Sequence, residues 1–119
     1  MRFITHALLA GITTLFLTFS GQAEPISPQD TYANVGALTT VEGVVSQVSR
    51  TDSGTTFINF GGRYPNHVFY GIIFRSDADQ FTGTHSLEGR TVLIHGTIDL
   101  YKGKPQIVLR DPDQIRVIE

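Results

Sequence analysis

The sequence predicts an all-β domain, a five-stranded Greek-key barrel with one short helix between its third and fourth strands. Three observations carry this. Runs rich in β-branched and aromatic residues recur from Leu38 onward, separated by Gly-, Asp- and Pro-containing turns. The one segment with helix-start chemistry, Ser76-Asp77-Ala78-Asp79-Gln80-Phe81, falls between the third and fourth of those runs. Thr91–Tyr101 alternates with a period of two, the mark of a strand buried on one side.

The elements follow in order. Thr39–Thr51 is the first expected strand, with Gly43 placed for a bend or bulge. Thr51-Asp52-Ser53-Gly54 turns the chain into Thr55–Gly61 (TTFINFG), the second strand. After the loop Gly62–His67 comes Val68–Arg75 (VFYGIIFR), the third. Ser76–Phe81 has a capping residue at its front and acids in its first turn, which suits a short helix. In Thr91–Tyr101, Val92, Ile94, Ile98 and Leu100 share one face, with Gly96 at a bend. Leu93, His95, Thr97, Asp99 and Tyr101 share the other. Lys102-Gly103-Lys104 turns the chain into Pro105–Arg110, and Asp111-Pro112-Asp113 ends that strand. Gln114–Ile118 is a last short extended piece. A small β-sandwich accommodates the same strands but leaves the single helix unexplained.

Residues 1–23 carry the three-part plan of a secretory signal. Arg2 and the amino terminus supply positive charge, Ala7–Phe19 is uncharged and apolar, and Ser20-Gly21-Gln22-Ala23 ends in small residues. Cleavage is expected between Ala23 and Glu24. The apolar run is shorter than the roughly 20 residues a membrane span needs. The expected product is exported, periplasmic or secreted, with no membrane anchor after cleavage. Residues 24–37, with two prolines and several turn formers, are expected to form a flexible lead-in, and 38–119 the folded domain.

Composition narrows the function. The chain has no cysteine, which removes disulfides, thiolate nucleophiles and zinc–thiolate sites. Its formal charge is −2; without residues 1–23, eight Lys and Arg face eleven Asp and Glu, a balance of −3. A dedicated duplex-DNA binder carries a basic excess, because phosphate neutralisation supplies most of its non-specific affinity. Any nucleic-acid site here must be a local patch.

Leu87–Glu119 contains Gly89-Arg90, a central Gly96, Tyr101-Lys102-Gly103-Lys104-Pro105-Gln106-Ile107, Asp111-Pro112 and Gln114-Ile115. This pattern resembles the closing half of nucleic-acid-binding OB-fold domains. Phe57–Pro65 (FINFGGRYP) is similar to the second strand and following loop of small exported bacterial OB-fold proteins. The resemblance covers most of residues 38–119 and implies the five-stranded barrel described above. It implies binding more than any one ligand, since OB barrels take oligonucleotides, sugars and proteins.

OB domains bind on the face of strands two and three and on the loops joining strands one to two and four to five. Mapped here, these are Phe57, Asn59, Phe69 and Arg75, the Thr51–Gly54 loop, and Tyr101, Lys102 and Lys104. Arg63 and Arg110, with Arg50, extend a cationic patch. Aromatic faces beside cations suit unpaired bases and their phosphates. Phe57 and Phe69 serve equally well as core, because strands two and three are apolar on both faces and their register stays open. Tyr64, in the longest loop, either contacts ligand or packs over the barrel mouth. Lys102 and Lys104 also suit a plain hairpin tip.

No metal or cofactor is expected, because His67, His85 and His95 lack ligand spacing. Asp77, Asp79, Asp99 and Arg75 do not form a recognisable nuclease arrangement, and no phosphate-cradling or nucleophile motif is present. The expected function is a non-enzymatic, monomeric, exported binding module for single-stranded nucleic acid. The alternative partner is an envelope protein or a glycan, and a nuclease-like enzyme is the third reading.

Overall fold

The computed structural model describes residues 24–119; the expected signal segment lies outside the described residues. Among the described residues, seven strands form one mixed sheet. They are β1 (Leu38–Arg50), β2 (Thr56–Phe60), β3 (Phe69–Ile73), β4 (Thr91–Thr97), β5 (Asp99–Tyr101), β6 (Lys104–Val108) and β7 (Ile115–Val117). Their order is β5-β6-β3-β2-β1-β4-β7, antiparallel throughout except for the parallel pair β3–β6. β1 organises the sheet. Its first half, Leu38–Val44, pairs with β4, and Val45–Arg50 pairs with β2.

The strand count corrects the expected five, and the sheet is not closed by hydrogen bonds. The period-two run Thr91–Tyr101 divides at Ile98. There the backbone N–H donates to the Ala37 carbonyl (3.0 Å) and the carbonyl accepts from Gly36 N–H (2.8 Å). Ile98 thus still belongs to the β1 side, whereas Asp99–Tyr101 pair with β6. Leu100, expected inside with Val92, Ile94 and Ile98, is instead 47% exposed, because the chain has left the core by then. The tail supplies the seventh strand against β4.

The bend in β1 also lies elsewhere than expected. Register slips between Val45 and Gln47, around Ser46, whose Oγ accepts from Gly62 N–H at 3.1 Å. Gly43 has a different role: a methyl group there would sit 2.7 Å from Pro28 Cγ. Pro28 is buried, and Ile26 bridges Val41 in parallel, so residues 26–28 lie directly against β1.

In place of one short helix, two 3-10 turns span Arg75–Gln80 and Thr84–Leu87. Ser76 is not the cap. Phe74 occupies that position with no side-chain cap bond, and the closures are tight, as in Asp77 N–H to Phe74 carbonyl at 2.9 Å.

The core is a single cluster from β1 to β4, β6 and the residues just after them, including Phe60, Phe69, Ile58, Ile94, Ile98, Ile107 and Leu109, all at most 1% exposed. Phe60 and Phe69 face each other across β2 and β3 with centroids 5.4 Å apart. At Gly96 a methyl group would lie 2.6 Å from Ile107 Cγ2, so only glycine lets β6 approach β4 this closely.

Gln114 then locks the far end. Its Oε1 accepts from Arg110 N–H (2.7 Å) and Asp111 N–H (3.1 Å), and its Nε2 donates to the His95 and Val108 carbonyls, both at 3.0 Å. Asp111 completes a capping box on the turn Pro112–Gln114. The Asp-Pro and Gln-Ile pairs of the sequence pattern are therefore structural: they fasten β6 to β4.

Candidate binding cleft

Strand alternation decides which side chains reach solvent on β2 and β3. Ile58 and Phe60 point into the core, which turns Phe57 and Asn59 to the other face. Across the ladder, Phe57 sits opposite Ile72 and Ser49, and Asn59 opposite Tyr70 and Gln47. Tyr70 in turn lies opposite Gln106 on β6, and Gln106 opposite Asp99. One row of polar and aromatic side chains thus crosses five strands.

That face carries a cleft of about 410 Å³, lined by Ser49, Phe57, Asn59, Tyr64, Pro65, His67, Tyr70, Tyr101, Lys102 and Lys104. Its floor is aromatic. Phe57 and Tyr70 tilt together at 5.7 Å, and His67 meets Tyr70 edge-on at 5.4 Å. Tyr64 lies over His67 at 5.9 Å and is 73% exposed. Tyr101 is 53% exposed on the opposite rim, with the Lys102 ammonium 5.4 Å from its ring centroid. Lys102 has φ of 49° and Gly103 80°, the pair of positive angles a two-residue hairpin turn requires. That turn sets both Lys102 and Tyr101 at the mouth.

Lys104 also braces the loop beside the cleft. Its Nζ donates to the His67 carbonyl at 2.8 Å and to the Pro65 carbonyl at 3.0 Å. It ties the loop between β2 and β3, which includes a cis Tyr64–Pro65 peptide, to β6. Gln47 anchors the same loop from the other side, its Oε1 accepting from Tyr64 N–H at 2.8 Å.

Burial shifts two groups. His67 is held below its ordinary 6.5 by desolvation, then by the Lys104 charge. Tyr70 is raised above its ordinary value by desolvation, then by Tyr101. Because folded His67 resists protonation, the unfolded chain binds that proton more readily below pH 6.5. Stability attributable to His67 is full above that value and is lost as pH falls through it. Urea unfolding at pH 7.5 and 5.5 is expected to show a smaller loss in His67→Gln than in the unaltered protein; equal losses would refute the assignment.

Of the residues singled out from sequence, Phe57, Asn59, Tyr64, Tyr101, Lys102 and Lys104 converge on the cleft. Four do not. Phe69 is fully buried, pointing inward opposite Phe60. Arg75 runs beside the Thr51–Gly54 turn, where a methyl group on Gly54 would lie 3.1 Å from its Cγ. Arg63 is exposed on the β2–β3 loop outside the cleft lining, and Arg110 lines a separate cavity with His95 and Gln114. Sequence reasoning missed Ser49, Pro65, His67 and Tyr70. Asn59 turns away from Ile58 and Phe60 once those are assigned to the core, but its Tyr70 partner depends on cross-strand register, and the fold of the loop that brings in His67 leaves no local signal.

Among the described residues, no three His, Asp or Glu side chains converge to hold a metal, and no helix is long and apolar enough to cross a membrane.

No protein-family model matches the chain, and no curated protein does. Solved structures do. The chain is similar to an OBody bound to hen egg-white lysozyme (12% identity, TM-score 0.58, 82% of this chain and 94% of that one). It is also similar to an OB domain from Methanosarcina mazei (13%, 0.55, 82% and 87%). A third likeness is to asparaginyl-tRNA synthetase from Pyrococcus horikoshii (13%, 0.55, 81% and 23%), of whose length the chain spans about a quarter. At such identity the likeness is one of fold: this is an all-β chain of OB type.

Proposed function

We propose that the protein is an exported, non-enzymatic binding module that takes single-stranded nucleic acid across the β2–β3 face. The observation that carries this is the aromatic cleft: Phe57, Tyr64, Tyr70 and Tyr101 surround one space on the face that OB domains use, with Lys102 at its mouth. Export rests on the signal pattern of residues 1–23. The solved likenesses suit the reading without fixing the ligand, for one is an OBody bound to lysozyme and another an aminoacyl-tRNA synthetase.

The site has few cations to offer. Lys104 has two of its three N–H groups on loop carbonyls, so Lys102 at the cleft and Arg63 on the loop nearby are the cations free to move onto phosphate. Stacking must then supply more of the affinity than charge. For two phosphate contacts the plot of log affinity against log salt should have a slope near about −1.4, at roughly −0.7 per contact. Fluorescence anisotropy of a labelled oligonucleotide across a salt series measures it. Absence of binding at low salt would sink the proposal, and a slope steeper than about −3 would move the site to a different, more basic surface.

The formal −3 of residues 24–119 favours a second reading, an envelope protein or glycan on the same aromatic face. Binding of an oligosaccharide with no salt dependence, alongside no binding of oligonucleotide, would select it.

A further inference from the structure

Two polar atoms of residues that line the cleft have no partner and are closed to solvent: Asn59 Oδ1 and His67 Nδ1. Both side chains are more than nine-tenths buried. The identity of the free Asn59 atom follows from a chain of donors. The Tyr64 backbone N–H can only donate, so the Gln47 atom 2.8 Å from it is the amide oxygen. That same oxygen lies 3.0 Å from the Asn59 amide, which must therefore present its NH₂. Asn59 Oδ1 is left as an acceptor, held in place at a site walled by aromatic rings.

A buried acceptor without a donor lowers stability, and folded proteins rarely leave one. Beside it, His67 is wedged between Tyr64 and Tyr70, and its neutral ring can donate or accept at Nδ1 according to tautomer. An acceptor and an adaptable second group next to stacking surfaces match the edge of a nucleobase, where a ring N–H or amine adjoins a second polar atom. The exposed Tyr64 ring lies over His67, and both unpaired atoms are closed to solvent, so a ligand meets them only by displacing side chains of the cleft wall.

Resting on the base-stacking reading above, we propose that Asn59 and His67 determine specificity in the cleft. They select a planar ring whose edge carries an N–H donor over a ring of the same size without one. Gln47 is the positioning residue, since it fixes which Asn59 atom faces the ligand.

The test compares two labelled eight-nucleotide oligomers, one of adenine and one of unsubstituted purine, which lacks the amine but stacks over the same area. Adenine is expected to bind about tenfold more tightly, because purine leaves the Asn59 acceptor unpaired. In Gln47→Leu, which frees the Asn59 amide to rotate, the adenine-to-purine ratio should fall toward one. The ratio for the unaltered protein needs no variant to fold. Equal affinities there would overturn the inference and leave the stacking reading standing; a ratio unchanged in folded Gln47→Leu would overturn the role of Asn59. Binding of neither oligomer would overturn both.

Discussion

Tyr101→Ala is expected to weaken oligonucleotide binding by about 5- to 150-fold, the range that corresponds to losing a base–aromatic stack of roughly 1–3 kcal/mol. The ring stands half out of the protein on the hairpin rim, with Lys102 beside it, so its removal leaves no core cavity. Stability should therefore change by no more than about 0.5 kcal/mol, as for surface substitutions generally. Anisotropy titration reports the first quantity and urea unfolding the second. Unaltered affinity would remove Tyr101 from the oligonucleotide-binding surface.

Phe69→Ala should have the opposite profile. The side chain is fully buried and meets Phe60 at 5.4 Å, so its deletion costs about 3–5 kcal/mol through lost transfer energy and the cavity left behind. For a domain of this size, with total stability of about 5–15 kcal/mol, that is a large share. Thermal or urea unfolding measures it. A change under about 1 kcal/mol would mean that Phe69 is not a core residue as packed here. Together the two substitutions separate the aromatics of β2 and β3, and of the hairpin that follows, into those that hold the sheet and those that face a ligand.

The strands themselves were legible. Thr39–Thr51, Thr55–Gly61 and Val68–Arg75 lie within two residues of β1, β2 and β3 at each end, because β-branched and aromatic runs bounded by glycine and polar turns carry a strong local signal. The splitting of Thr91–Tyr101 was not, since Ile98 changes partners through the backbone of residues 36 and 37, far away in sequence. The helix was overread for a related reason: Ser76-Asp77-Ala78-Asp79 has the chemistry of a helix start, yet the loop closes in a single 3-10 stretch before Gly83 turns it.

The site shows the same division more sharply. Phe57, Asn59 and Tyr101 could be picked out by type and position, but Phe57 and Phe69 look alike in an apolar strand. A shift of one residue would exchange them between core and surface. Lys104 and Arg110 look like equivalent phosphate contacts as sequence; folded, one braces two loop carbonyls at the cleft and the other lies on another cavity.

By itself the sequence determined that the chain is all-β, acidic after residue 23, free of cysteine, and patterned at its end like an OB domain. These are properties of composition and of local periodicity, which need no partner to be read. Tertiary structure alone decided which aromatic faces outward, which lysine remains free, and which atom of Asn59 lacks a donor. Each of those depends on cross-strand register and on a hydrogen-bond chain between residues 12 to 39 positions apart, where local propensity carries no information.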